Sequence, residues 1–135
     1  MQKASTFLMF SGENFGKAEE ALKLYTSLFA DSEIQEIQYF KEGEQGGKEG
    51  TVKTAFFTLC NQNFMALDSL MDHKFNFTPS ISVFVDFDEE AELNKIYEKL
   101  SEGGSVLMPL DDYGFSKKFG WLQDKYGITW QLNLK

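Results

Sequence analysis

The spacing of apolar residues changes from a two-residue period to a helical period in the second half of the chain. Alternation over residues 80–87 predicts a strand, one face of which carries Ile81, Val83, Val85 and Phe87. A helix is then predicted over residues 89–102, because i, i+3, i+4, i+7 spacing draws an apolar stripe of Leu93, Ile96, Tyr97 and Leu100. An aspartate of the turn 86–88 is predicted to cap this helix, and Gly103 with Gly104 to end it.

The same strand-then-helix pattern occurs once earlier, with a strand at 5–10 and a helix at 18–29. Further strands are predicted at 33–40, 52–59 and 64–68, and after the second helix at 105–108, 117–123 and 129–134. Both halves therefore follow the order β-α-β-β-β, which predicts an α+β fold of two βαβββ modules. One offset supports the repeat, since it matches Tyr25, Leu28 and Ile34 to Tyr97, Leu100 and Val106. A plain α+β domain without internal symmetry remains the alternative.

The length of the chain indicates the number of domains, and its net charge excludes some classes of binding partner. The 135 residues predict a single domain, 1–135, with modules at 1–69 and 80–135 joined by a connection at 69–79. The net charge of −8 argues against nucleic acid and against an anionic membrane surface. No apolar run is long enough to cross a membrane. Cys60 is the only cysteine, so no internal disulfide is possible and a cytoplasmic location is predicted.

Three segments resemble a known family: residues 74–82, residues 99–104 and, most specifically, residues 120–131, Gly-Trp-Leu-Gln-Asp-Lys-Tyr-Gly-Ile-Thr-Trp-Gln. Together with the paired modules they resemble the PhnB-like branch of the glyoxalase/bleomycin-resistance (vicinal oxygen chelate) superfamily. That branch is often labelled 3-demethylubiquinone-9 3-methyltransferase. The resemblance covers nearly the whole chain and implies a cup-shaped mixed sheet with the helices outside, usually in a homodimer.

The resemblance implies two kinds of chemistry, metal-dependent catalysis and methyl transfer. Metal-dependent members place four ligands in the cup, and the matching positions here are Ser5, Ala66, Ser80 and Gln131. Only Gln131 is a plausible ligand, so we predict a cup without metal or other cofactor. A methyltransferase would need a glycine-rich strand-to-helix turn in a larger doubly wound sheet, and this sequence contains neither.

Strand alternation predicts the lining of the cup. Aromatic side chains dominate it, with a few hydroxyl, amide and carboxyl groups, which is typical of a small-molecule site. We expect the buried amide of Gln131 either to join a network with Ser80 and Asp68 or to contact a ligand. His73 and Cys60 are predicted to lie outside the site, in a solvated loop and at a strand end. The predicted ligand-binding residues are Phe7, Met9, Asp68, Ser80, Ser82, Phe84, Phe119, Trp121 and Gln131, within a lining that also includes Phe64, Ala66, Thr129 and Asn133.

The function predicted from these residues is binding of a small aromatic or amphipathic molecule, with or without catalysis. A metal-dependent lyase, isomerase or dioxygenase, or the methyltransferase of the family label, are the alternatives. A homodimer is predicted because the connection 69–79 carries large apolar residues where a surface loop is expected. These residues are Leu70, Met71, Phe75 and Phe77.

Overall fold

The structure, a computed structural model, describes every residue from Met1 to Lys135 and divides into two units. The first unit spans Met1–Asn76 and the second spans Phe77–Lys135, so the boundary lies in the predicted connection. Each unit contains one four-stranded sheet and one α-helix. Neither helix combines the length and the apolar character that crossing a membrane requires.

The first unit follows the predicted βαβββ order, with a short 3-10 turn at Gly12–Asn14 before its helix. Its sheet has the order β1-β4-β3-β2, in which β1 pairs with β4 in parallel and the other pairs are antiparallel. The elements are β1 (Thr6–Phe10), α1 (Ala18–Leu28), β2 (Glu33–Tyr39), β3 (Val52–Leu59) and β4 (Gln62–Asp68).

The second unit repeats this topology. Its sheet has the order β5-β8-β7-β6, and again the first and last strands of the unit pair in parallel. The predicted α+β fold of two βαβββ modules is therefore confirmed. The elements are β5 (Ser82–Phe87), α2 (Glu90–Ser101), β6 (Ser105–Asp111), β7 (Lys118–Gln123) and β8 (Thr129–Leu134).

Each helix packs against one face of the sheet in its own unit and leaves the other face open. In the first unit the buried stripe of α1 comprises Ala18, Ala21, Leu22 and Tyr25. In the second unit α2 approaches β7 closely, since a Cβ atom on Gly120 would lie 2.6 Å from the ring of Tyr97. A glycine at this position therefore lets Tyr97 pack directly on the strand, which fixes the side of the sheet that α2 covers.

Three local predictions were wrong in the second unit. Strand β6 continues through Pro109 to Asp111, where a loop was expected; a proline fits there because β6 is an edge strand. Strand β5 begins at Ser82, so Ile81 lies outside it and is 72% exposed. The N-cap of α2 is Glu89 without a side-chain cap bond, so the predicted aspartate cap is absent.

Candidate ligand-binding surface

The face of the second sheet that α2 does not cover, here called the open face, carries three rows of side chains that follow from strand register. Residue pairs across the strands point to the same side, and Gly120 pairs with Leu132 on the helix side, so Trp121 and Gln131 point to the open side. The acidic row is Asp86, Asn133, Phe119 and Asp111; the aromatic row is Phe84, Gln131, Trp121 and Met108; the hydroxyl row is Ser82, Thr129, Gln123 and Ser105.

Five of the nine predicted binding residues share this open face. The register of β5, β8 and β7 places these five side chains on one side of the sheet, and their contact with a ligand stays a prediction. Phe84 is 54% exposed, whereas Phe119 is buried. The five residues are Ser82, Phe84, Phe119, Trp121 and Gln131.

A chain of hydrogen bonds orients the amide of Gln131. Its Nε2 donates to Ser82 Oγ over 3.4 Å, and that hydroxyl lies 2.7 Å from Thr129 Oγ1. Thr129 Oγ1 in turn donates to the carbonyl oxygen of Ile81 over 2.8 Å. Gln131 therefore joins a network of Ser82 and Thr129, and the expected network with Ser80 and Asp68 does not form.

The two tryptophans of the second unit differ in their polar contacts. Trp130 is buried on the helix side, and its Nε1 donates to Asp124 Oδ2 over 2.9 Å. Trp121 lies on the open face, and its Nε1 is screened from solvent without any hydrogen-bond acceptor. A buried donor left without an acceptor costs roughly 1–3 kcal/mol. The indole N–H of Trp121 carries this cost, and that of Trp130 does not.

Four aromatic rings form a cluster at the end of the open face, here called the aromatic cluster: Phe84, Tyr113, Phe115 and Phe119. Phe119 lies at its centre, with ring centroids 5.0 Å from Phe115, 6.1 Å from Tyr113 and 6.3 Å from Phe84. Phe115 is 65% exposed, and Tyr113 is partly exposed. Sequence reasoning missed Tyr113 and Phe115 because they belong to the loop between β6 and β7; their two-residue spacing just before Phe119 was the available signal.

The first unit has an open face of its own, which includes Phe7 and Met9. Register pairs Phe7 with Met65 and Met9 with Leu67, so these four apolar side chains point away from α1. Phe7 is 49% exposed. The alternation assigned to β4 was out of phase by one residue: Phe64, Ala66 and Asp68 were expected beside Phe7 but lie on the helix side.

The predicted position of Asp68 in the lining of the cup was therefore wrong. Its side chain is buried beside α1. Its Oδ1 accepts the backbone N–H groups of Gly16 over 2.9 Å and Ala18 over 3.1 Å. Its Oδ2 accepts that of Val52 over 2.8 Å. Burial raises the pKa of the Asp68 carboxyl, and the three N–H donors oppose that rise. This carboxylate joins the start of α1, the start of β3 and the end of β4.

The remaining candidates lie outside the open faces. Ser80 precedes β5, is exposed, and contacts Thr78 through its hydroxyl. His73 is not free in solvent, because its Nε2 lies 2.8 Å from Ser69 Oγ. Cys60 lies in the turn after β3, and burial followed by the charge of Asp31 raises the pKa of its thiol. A raised thiol pKa opposes a nucleophilic role.

The residues at the positions implied for a metal do not fit one. Ser5 and Ser80 are exposed, and Ala66 is a buried methyl on the helix side of its sheet. Gln131 alone offers a ligand atom, and neutral hydroxyl and amide groups are weak ligands for first-row metals. Nowhere in the chain do three His, Cys, Asp or Glu side chains lie together in a way that could hold a metal ion.

The methyl donor implied by the family label also lacks a matching site. Such a donor is usually held at a glycine-rich turn between a strand and a helix in a doubly wound parallel sheet. Both sheets here have four strands and are mixed, with only their outer β1–β4 and β5–β8 pairs parallel. The two sheets therefore do not provide the usual site for such a methyl donor.

Comparison with known proteins gives a family and a fold. The family model for 3-demethylubiquinone-9 3-methyltransferase matches residues 2–133. No curated protein matches the chain. A solved structure of a Bacillus cereus PhnB protein, which carries the same methyltransferase designation provisionally, shares 53% identity over 99% of this chain and 100% of its own, with a TM-score of 0.92.

Two more distant structures show the same fold. Protein PA1353 of Pseudomonas aeruginosa is 22% identical over 100% of this chain and 98% of its own, with a TM-score of 0.80. The fosfomycin resistance protein FosX of Mesorhizobium loti is 12% identical over 98% and 92%, with a TM-score of 0.57. With the family model and the Bacillus cereus relative in agreement, this chain belongs to the 3-demethylubiquinone-9 3-methyltransferase (PhnB-like) family, and its fold is glyoxalase/bleomycin-resistance-like.

Proposed function

We propose that the protein binds a small aromatic or amphipathic molecule on the open face of its second sheet, without a metal ion. The observation that carries this proposal is Trp121, whose indole N–H has no acceptor, beside Gln131 in the aromatic row. An exposed Phe84 completes the row on the other side of Gln131. Apolar rings interrupted by a few oriented polar groups are typical of small-molecule sites.

Binding would relieve two costs that the free surface carries. A flat ligand ring over the aromatic row would remove the exposed part of Phe84 from water, at about 25 cal/mol per Å² of apolar surface buried. A ligand carbonyl near Trp121 would supply the missing acceptor. Because Trp121 Nε1 is itself screened from solvent, that bond requires a neighbouring side chain to move aside. Gln131 is held by Ser82, so its amide is oriented before a ligand arrives.

Two predicted ligand-binding residues of the first unit, Phe7 and Met9, also lie on a face that its helix does not cover. Phe7 and Met9 lie on an open apolar face, which supports a ligand-contacting role, and Asp68 does not, because its carboxylate is occupied by three backbone donors. Contact of Phe7 and Met9 with a ligand stays a prediction. It is tested by the same binding assay with Phe7→Ala.

The experiment uses N-phenylnaphthylamine, a neutral aromatic probe whose fluorescence rises in apolar surroundings. We expect saturable binding by the native protein. Trp121→Ala should weaken it about tenfold or more, since ring stacking contributes roughly 1–3 kcal/mol. Tyr39→Ala is the matched control, because it removes an exposed aromatic ring from β2 in the other unit. Binding that is absent in the native protein, or equal in Trp121→Ala and the control, refutes the proposed site.

We also propose that the protein is a homodimer. Support comes from Leu70, Met71 and Phe75, which follow β4 and are each more than half exposed. Contiguous exposed apolar groups in a soluble chain usually mark an interaction surface. Phe77 differs from them, because it lies against Gly127 within the second unit. Light scattering should therefore give a dimer mass for the native protein and a monomer mass for folded Phe75→Asp; a native monomer would rule out the proposal.

A further inference from the structure

We propose that the ligand of the open face is a cationic amphipathic molecule, an inference that rests on the proposed function and specifies its ligand class. The three rows divide the face into an acidic end, an apolar middle and a neutral polar end. This order of surfaces matches a molecule with a positively charged group, an aromatic or aliphatic body and an uncharged polar terminus.

The acidic end combines carboxylates with aromatic rings. Asp86 and Asp111 lie at the two ends of the acidic row, with Phe119 and Asn133 between them. Phe84, Tyr113 and Phe115 surround Phe119 and keep part of their own rings exposed. A cation over an aromatic face is attracted by the ring quadrupole, and flanking carboxylates add to that attraction.

No basic side chain offsets this charge within the three rows. Lys118, which is adjacent to Phe119, points to the helix side, where its Nζ donates to Glu90 Oε2 over 3.1 Å and Asn94 Oδ1 over 2.8 Å. The ammonium group of Lys118 is therefore bound by side chains of α2 on the face opposite to the open face. Lys117, Lys125 and Lys135 each lie two residues along the chain from a member of the rows and outside the three rows themselves.

The spacing of the carboxylates favours an organic cation over a metal ion. Three inter-strand steps of ~4.8 Å separate Asp86 from Asp111, or about 14 Å, which is too far for one ion to contact both. A dispersed charge placed midway along the acidic row, between Asn133 and Phe119, would lie about 7 Å from each carboxylate. The rise of ~3.3 Å per residue puts the hydroxyl row about 13 Å from the acidic row, which sets the length of the ligand.

The test compares three molecules that share one body and differ in head-group charge: phenylbutyl trimethylammonium, phenylbutanol and phenylbutyrate. Each competes with N-phenylnaphthylamine for the native protein. We expect the cation to displace the probe at the lowest concentration and the anion at the highest, and the advantage of the cation to shrink in high salt. Asp86→Asn and Asp111→Asn should each weaken the cation about twofold to threefold and leave the alcohol unchanged.

Asp72→Asn is the matched control, because it removes an exposed carboxylate from the other unit. The ligand class is overturned if the three molecules compete equally, if the anion competes best, or if the cation does not compete. In each case, binding of the probe by the native protein leaves the proposed function standing. Probe binding that is absent, or that survives Trp121→Ala unchanged, overturns the proposed function itself.

Discussion

Asp68 should contribute more to stability than any exposed carboxylate of the first unit. Its two oxygens accept three backbone N–H groups and its side chain is 1% exposed, so no water can replace it. In Asp68→Asn the amide oxygen can still face Gly16 and Ala18, but the amide NH₂ group then faces the N–H of Val52. One charge-assisted bond is lost and two donors oppose each other, at about 2–4 kcal/mol.

Urea denaturation measures this cost. With a slope of ~1–3 kcal/mol per molar urea for a small protein, the midpoint of Asp68→Asn should fall by about 1–2 M. Far-ultraviolet circular dichroism is the appropriate signal, because both tryptophans lie in the second unit and report on that unit. Asp72→Asn removes the same charge from an exposed position. Equal midpoints for Asp68→Asn and Asp72→Asn would refute the assigned role of the buried carboxylate.

Three further predictions concern single sites. Tyr39 Oη donates to Glu19 Oε2 over 2.6 Å and lowers the pKa of Glu19 from its ordinary 4.5, so Tyr39→Phe should raise that pKa in an NMR titration. The lowered pKa of Glu19 stabilises the fold above pH 4.5, and this stabilisation is lost as the pH falls through the folded-state pKa. The free energies of unfolding of the native protein and of Tyr39→Phe should therefore converge in acid. A difference that stays constant with pH contradicts this. Gly104→Ala places a Cβ 2.1 Å from the Gln123 carbonyl oxygen and should destabilise by about 1–3 kcal/mol, which an unchanged melting temperature would exclude. The raised pKa of Cys60 predicts slower alkylation by iodoacetamide at neutral pH than that of a cysteine model peptide, and an equal or faster rate is the contrary result.

The sequence predicted the order of elements because both helices have a clear apolar stripe and the strands are separated by strong turn signals. It also predicted that Phe84, Trp121 and Gln131 share one side, since the alternation within β5, β7 and β8 is regular. The phase of β4 was predicted wrongly. A strand with Phe64, Met65, Ala66 and Leu67 in succession has large apolar groups on both faces, so alternation alone cannot say which face meets the helix.

The carboxylate of Asp68 could not be placed from sequence for a related reason. Its partners, the N–H groups at residues 16, 18 and 52, are backbone groups far away along the chain. Nothing in the side chains of these residues marks them as donors. The aromatic cluster was missed because loop residues follow no period, so Tyr113 and Phe115 meet Phe119 through loop geometry that propensity does not encode.

The parallel pairing of β1 with β4 imposes a waiting time during synthesis. Thr6 pairs with Phe64, so β1 leaves the ribosome more than fifty residues before its partner strand exists. At about 5–20 residues per second, the segment Thr-Phe-Leu-Met-Phe stays without a partner for several seconds, whereas the antiparallel strands after it can pair with near neighbours as they emerge. The second unit repeats the delay, because Ser82 pairs with Thr129. A nascent chain stalled before residue 62 therefore displays an unpaired apolar strand, which is the kind of segment that chaperones bind.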